Sequence, residues 1–113
     1  MSQPVKIAIA GAYGRMGRAV AQALEGRSDA VVAARFERAG VEGPDLVGRE
    51  TALSESGVVI DFTLPEASVD LAETAASNNG PALVIGSTGF SDEQLARIDE
   101  AAKTIAIVRS GNY

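Results

Sequence analysis

The sequence predicts an α/β domain, a doubly wound and mostly parallel five-stranded sheet between two helical layers. Three observations predict it. Short apolar runs alternate with helix-like stretches along the 113 residues. Those runs lack the clean polar–apolar alternation of a half-solvated sheet, as strands covered on both faces do. A glycine-rich turn stands directly behind the first run and ahead of a helical pattern. The implied succession β-α-β-loop-β-α-β-α-β, with right-handed crossovers, points to a single domain over 1–113 with strand order 3-2-1-4-5.

Val5 to Ala10 (VKIAIA) reads as the first strand, rich in β-formers and bounded by glycine. Arg15 to Leu24 reads as a helix, with Met16, Ala19, Val20, Ala23 and Leu24 on one side at helical spacing. Ala30 to Phe36 is the second strand. Residues 39–57 are rich in Gly, Glu and Ser and predict a loop with a short helix around Glu50 to Ser54. Val58 to Phe62 is the third strand. Thr63-Leu64-Pro65-Glu66 then offers a Thr N-cap with Glu at N3, ahead of a stripe of Val69, Ala72 and Ala76. Asn79-Gly80-Pro81 closes that helix, and Ala82 to Ile85 is the fourth strand. Ser91-Asp92-Glu93-Gln94 repeats the capping pattern before Leu95, Ile98 and Ala102, and Thr104 to Val108 is the fifth strand.

Composition narrows the chemistry. The chain has no Cys and no His, which removes disulfides, thiolate or imidazole metal ligands, thiol nucleophiles and imidazole acid–base catalysis. Any reaction must come from a bound cofactor or from residues outside these 113. A net charge of −5 argues against a broad nucleic-acid or anionic-membrane surface. The charge is uneven: residues 1–44 carry six bases and four acids, whereas 45–100 carry eleven acids and two bases. The positive part coincides with the glycine turn, although an ordinary charged surface would look the same. No run approaches the ~20 apolar residues of a membrane span, and Met1-Ser2-Gln3-Pro4 lacks a secretory pattern. A cytoplasmic protein is expected.

Behind the first strand stands Gly11-Ala12-Tyr13-Gly14-Arg15-Met16-Gly17, a GxxGxxG pattern one residue off the commoner GxGxxG. Gly11 suits the sharp turn, Gly14 a close backbone approach to a pyrophosphate, and Gly17 close packing of the helix on the sheet. The helix start turns free amides and partial positive charge toward a phosphate, with Arg15 and Arg18 as possible additions. A tight βα turn in a nucleotide-free domain is the plainer alternative. The Gly-Lys-Ser/Thr ending of an ATP- or GTP-binding loop is missing. Taken with its context of first strand and amphipathic helix, the turn points to a dinucleotide site in a Rossmann-type domain.

Glu37 lies 26 residues after Gly11, near the spacing of the acid that binds adenosine ribose hydroxyls and favours NADH. Arg38, with Arg35 nearby, could instead pair with the 2′-phosphate of NADPH, so the two residues pull in opposite directions. Phe62-Thr63-Leu64-Pro65 and Gly86-Ser87-Thr88-Gly89-Phe90 follow the third and fourth strands, where open α/β sheets place ligands. Asp61 suits helix capping or local turn bonding better than proton transfer.

These segments closely resemble the amino-terminal half of the 4-hydroxy-tetrahydrodipicolinate (dihydrodipicolinate) reductase family of lysine and diaminopimelate biosynthesis. The matching stretches are VKIAIAGAYGRMGRAV at 5–20, FER at 36–38, VVIDFTLPEASV at 58–69, VIGSTGFS at 84–91 and IAIVRSGNY at 105–113. The resemblance implies an oxidoreductase that uses NADH or NADPH. It implies Gly11, Ala12, Tyr13, Gly14, Arg15 and Met16 as the phosphate loop, Glu37 as the ribose acid and Arg38 as the residue that admits NADPH. Gly86, Ser87 and Thr88 resemble the segment at the nicotinamide half, and Ser110, Gly111, Asn112 and Tyr113 the segment closing the site. Ser87 replaces the Thr of most members, a mild change that keeps the hydroxyl; Tyr13 stands where a small residue is common in some.

The family's substrate loop and its histidine-rich segment belong to a second, tetramer-forming domain, absent from this sequence. The resemblance thus implies a homotetrameric parent acting on a small dicarboxylate, with no catalytic residue inside 1–113 and no turnover by this piece alone. It also implies apolar surface left uncovered where the family's chain returns to complete the first domain. Two other readings remain at this level: a stand-alone nucleotide-binding or redox-sensing module, and another NAD-dependent dehydrogenase. VIDFTLPE together with IGSTGF disfavours the second.

Overall fold

The structure, a computed structural model, describes residues 3–110. Five strands, β1 (Val5–Ala10), β2 (Ala30–Phe36), β3 (Val58–Asp61), β4 (Ala82–Ile85) and β5 (Ile107–Arg109), form one sheet. Every adjacent pair is parallel. Helices α1 (Arg15–Leu24), α2 (Arg49–Glu55), α3 (Pro65–Ser77) and α4 (Asp92–Ala101) connect them.

The order across the sheet is β2-β1-β3-β4-β5, not the expected 3-2-1-4-5. Burial explains the placement. The third strand alternates half-buried and buried residues and needs a neighbour on each side, which it finds in β1 and β4. Strand β2 has an exposed residue and mostly half-buried ones at its start, and takes the edge. Its outer rim is met by returning loop instead of a further strand: the Val47 amide donates to the Arg35 carbonyl at 2.9 Å. The Gly57 amide, donating to the Lys6 carbonyl at 2.8 Å, starts β3 against β1.

The change of direction sorts the helices. The path from β1 to β2 runs one way across the sheet and every later step the other, so right-handed crossovers place α1 on one face and the remaining helices on the opposite one. On the larger side, Ala8, Ala10, Val59, Leu83 and Ile85 of the sheet pack with Leu53 of α2, Val69, Leu71 and Ala72 of α3, and Ile98 of α4. An ion pair of Arg97 with Glu73 (2.5 and 2.9 Å) joins α4 to α3. On the other side, Ile7, Ile9 and Ala12 meet Val20, Ala21 and Leu24 of α1.

The face that α1 buries differs from the expected stripe. Met16 is 46% exposed and Ala19 and Ala23 lie in solvent, while the contact row is Gly17, Val20, Ala21 and Leu24. The helix rests on its glycine, and that rotates the row by one position. Two end signals also divide. Ser91 caps α4 in a complete capping box, its hydroxyl accepting from the Gln94 amide at 3.1 Å and the Gln94 side chain accepting from the Ser91 amide at 2.8 Å. Thr63 caps nothing: α3 starts at Pro65 with Leu64 as N-cap and no side-chain bond. Strand β5 begins at Ile107 instead of Thr104, because residues 102–104 prolong the end of α4 as turns.

The corrected helix face is open to test. Leu24→Ala is expected to cost about 2 kcal/mol in urea unfolding, and Met16→Ala less than about 0.5 kcal/mol. The opposite ranking would restore the stripe read from the sequence.

Candidate functional site

Strand register assembles the site. Phe36 pairs with Ala10, Ala10 with Asp61, Asp61 with Ile85, and Ile85 with Arg109, forming one line across all five strands. The residues that follow, Glu37, Gly11, Phe62, Gly86 and Ser110, therefore stand in one row along the carboxyl edge. At ~4.8 Å per strand the row spans about 19 Å. The crevice of a doubly wound sheet opens where connections diverge, here between β1 and β3.

The three glycines of the turn have separate reasons. Gly11 adopts φ +74°, and a Cβ there would lie 3.2 Å from the Phe62 carbonyl oxygen. At Gly17 a Cβ would fall 2.2 Å from the Gly11 carbonyl oxygen and 2.9 Å from the Ala12 Cα, so α1 could not sit so close with any side chain. Gly14 is different. Its φ is −74°, and a Cβ would meet only the Gly11 carbonyl oxygen at an ordinary 3.4 Å. The protein's own packing does not demand glycine at position 14.

Gly14 is also the N-cap of α1 and offers no side chain to the first-turn amides. That first turn contains no acid, whereas α2, α3 and α4 each carry at least one. The start of α1 thus keeps uncapped N–H groups and the positive end of its dipole beside Arg15, which is exposed. Arg18 is committed to the loop itself. Its Nε donates to the Tyr13 carbonyl at 2.9 Å, and its guanidinium lies 5.4 Å from the centre of the Tyr13 ring.

Glu37 turns back onto the glycine loop. Its Oε2 accepts from the Tyr13 amide at 2.6 Å, while Oε1 has no hydrogen-bond partner among the described residues. Arg38 next to it is exposed. Beyond β2, the Tyr13 hydroxyl donates to Asp45 Oδ1 at 2.5 Å, and Arg35 Nε lies 4.0 Å from the same carboxylate. The bond to Asp45 raises the Tyr13 pKa above the usual tyrosine range. The same bond, aided by the charges of Arg35 and Arg18, holds Asp45 below the usual carboxylate range.

The turns after β3 and β4 are tied by a hydroxyl network. Asp61 is fully buried, and its Oδ1 accepts from the Thr63 amide at 3.0 Å and the Thr63 hydroxyl at 2.5 Å. Ser68 Oγ lies 3.3 Å from Thr63 Oγ1 and 2.8 Å from Ser87 Oγ. Ser87 donates in turn to the Thr63 carbonyl at 3.1 Å. The Ser87 hydroxyl is therefore occupied internally, and Thr88 is the exposed hydroxyl of that turn. Gly86 is explained by packing, since a Cβ there would lie 2.1 Å from the Phe62 ring. The Gly86 amide donates to the Asp61 carbonyl at 2.8 Å, and the Ser110 amide to the Ile85 carbonyl at 3.0 Å. Gly111, Asn112 and Tyr113 lie outside the described residues.

Comparison with known proteins decides the family. Residues 5–113 match the family model described as "Dihydrodipicolinate reductase, N-terminus". The chain belongs to the dihydrodipicolinate reductase family. It is 81% identical over 113 residues to the 4-hydroxy-tetrahydrodipicolinate reductase of Caulobacter vibrioides, covering all of this chain and 44% of that protein. The reductase of Roseobacter denitrificans is 36% identical over 131 residues, covering 99% of this chain and 47% of its own length. The chain thus spans about half the length of these curated relatives.

Solved structures agree on the fold. A dipicolinate-bound dihydrodipicolinate reductase from Paenisporosarcina sp. TG-14 superposes with a TM-score of 0.77 at 20% identity, over 96% of this chain and 47% of that one. Aspartate semialdehyde dehydrogenase II from Vibrio cholerae gives 0.72 at 18% identity, over 97% and 42%.

Within this reductase-family domain, sequence reasoning missed two features. One is the Tyr13–Asp45 contact, which no short spacing announces. The other is the role of Ser68, whose signal was available: a serine among the apolar positions 69, 72 and 75 of α3 marks a buried polar group. Asp61 bonds within its own turn, as its place at a strand end suggested.

The Tyr13–Asp45 contact carries a pH signature. It should persist at neutral pH, weaken as pH falls through the depressed Asp45 pKa, and break at alkaline pH only above the usual tyrosine range. Ultraviolet titration of a Tyr113→Phe chain, in which Tyr13 is the sole tyrosine, should show late ionisation that Asp45→Asn moves back toward normal. An unchanged midpoint in Asp45→Asn would contradict the contact.

Proposed function

We propose that this chain is the nicotinamide-dinucleotide-binding domain of a 4-hydroxy-tetrahydrodipicolinate reductase, spanning 1–113 and taking NADH or NADPH. The observation that carries the proposal is Gly14. Neither its backbone conformation nor its surroundings call for glycine, yet it stands at the uncapped start of α1. A dinucleotide diphosphate over that position accounts for both facts, since it needs a bare backbone and supplies the acceptors the free amides lack.

The surrounding residues fit such a ligand. The first-turn amides of α1, with Arg15, would hold the diphosphate. Glu37, steadied through Oε2 by the Tyr13 amide, leaves Oε1 for the ribose hydroxyls. Arg38 would meet a 2′-phosphate, which gives NADPH a route past the Glu37 charge. At the other end, Thr88 and the backbone of 86–88 would border the nicotinamide half, with Ser110 to Tyr113 closing the site. The Ser87 hydroxyl contributes there by joining the β3 and β4 turns, not by facing the ligand. A bound reduced nicotinamide supplies hydride, and the domain's own task is to orient it and exclude water.

The whole protein would reduce a small dicarboxylate in the cytoplasm as a homotetramer, with substrate contacts and the proton donor supplied from outside these residues. Family membership supports this reading. Among the described residues, no helix is long and apolar enough to cross a membrane.

Gly14→Ala should stay within about 1 kcal/mol of the parent in unfolding yet bind NADH and NADPH at least roughly tenfold more weakly. Gly17→Ala should instead lose about 1–3 kcal/mol of stability. Calorimetric titration and urea unfolding of both variants make the comparison; full affinity in Gly14→Ala would remove the main support. Separately, Arg38→Ala should weaken NADPH more than NADH in competitive titration. Equal losses would rule out the 2′-phosphate role.

A further inference from the structure

The row of residues along the carboxyl edge ends at Glu37, directly after the edge strand β2. If Glu37 takes the ribose, the adenine beyond it must lie past the sheet. The chain that continues from Glu37 into that region, residues 38–47, is anchored near its far end, where Leu46 packs against the Ile7, Ile9 and Ala12 cluster. Within it the Val41 amide donates to the Arg38 carbonyl and the Leu46 amide to the Gly43 carbonyl, both local turns. Its backbone bond to the sheet comes only at Val47. Ala39, Gly40, Glu42, Pro44 and Asp45 are exposed.

The middle of this segment is fixed by a residue of the glycine turn. The Tyr13 hydroxyl donates to Asp45 Oδ1, and the Tyr13 ring lies so close to residue 43 that a Cβ there would fall 1.7 Å from its hydroxyl oxygen. Gly43 has no positive φ, so the ring and not the backbone accounts for glycine at that position. Arg18 also holds Tyr13, bonded to its carbonyl and with its guanidinium over the aromatic face. Arg35 balances the Asp45 charge. Tyr13 thus reaches two walls at once, Glu37 through its amide and the 43–45 turn through its side chain.

We propose that Tyr13 is a positioning residue for the adenosine half of the site, clasping the 43–45 turn so that an adenosine diphosphate group meets a preformed wall instead of a mobile loop. The inference rests on the dinucleotide reading above. The apparent Kd is the intrinsic Kd divided by the fraction of molecules in which the wall is in place, so releasing the clasp weakens binding without removing any ligand contact. Nicotinamide is not involved, and both cofactors feel the clasp alike.

The test uses the full 113-residue chain with two probes, ADP-ribose, which spans the adenosine half, and inorganic pyrophosphate, which reaches only the glycine turn. Tyr13→Phe keeps the ring and removes the hydroxyl; Asp45→Ala removes the acceptor. Each should raise the Kd for ADP-ribose about 2- to 10-fold, the worth of one hydrogen bond, and leave pyrophosphate unchanged. The double variant should be no worse than the weaker-binding single, because both break one contact. Unaltered ADP-ribose affinity, equal weakening of both probes, or losses that multiply in the double variant would each overturn the clasp while leaving the dinucleotide site in place. Failure of the parent chain to bind ADP-ribose would overturn both readings.

Discussion

The close contact of α1 with its own entry turn governs this structure. With only a hydrogen at residue 17, the helix can settle against the Gly11 carbonyl and the Ala12 backbone. That choice fixes the buried row as Gly17, Val20, Ala21 and Leu24. It also sets the helix axis so that the uncapped first turn stands over the end of β1. A methyl group at 17 would lift the helix, pull Val20 and Leu24 from Ile7 and Ile9, and carry the amides away from the crevice. The packing of the helix and the placement of its free amides depend here on one missing atom group.

The rest of the site follows from sheet register more than from individual contacts. Once Phe36, Ala10, Asp61, Ile85 and Arg109 are aligned, five turns are delivered to one edge, and their side chains need only modest local support. Glu37 bonds to the Tyr13 amide. Asp61, Thr63, Ser68 and Ser87 bind the next two turns into one polar network. Buried polar groups of this kind cost free energy when left unpaired and specify one arrangement when satisfied. One oxygen, Asp61 Oδ2, has no partner among the described residues.

Much of this was legible in the sequence. Helix α1, strands β2 and β4, and the capping box at Ser91 were read with their observed bounds, because each has a local cause: apolar period, bounding glycine or a cap. The shared edge of the turns after the strands was legible too, since a parallel sheet delivers every strand's following turn to one side. The errors have non-local causes. Strand order depends on which strand tolerates an edge, and VVID resembles any other apolar run until its neighbours are known. Thr63 looked like a cap but sits beside a buried carboxylate that takes its hydroxyl first. The stripe on α1 was counted from its apolar residues, while the actual contact row is set by a glycine that carries no hydrophobic signal.

Family membership and geometry meet at the glycine turn, where α1 would offer its first-turn amides to a diphosphate. Amide-resolved NMR of the isotope-labelled chain during titration with NADH tests this most directly. The largest shifts are expected at Gly14, Arg15, Met16 and Gly17, with a second set at Tyr13 and Glu37. Shifts confined to other surfaces, with those amides unmoved at saturation, would contradict it.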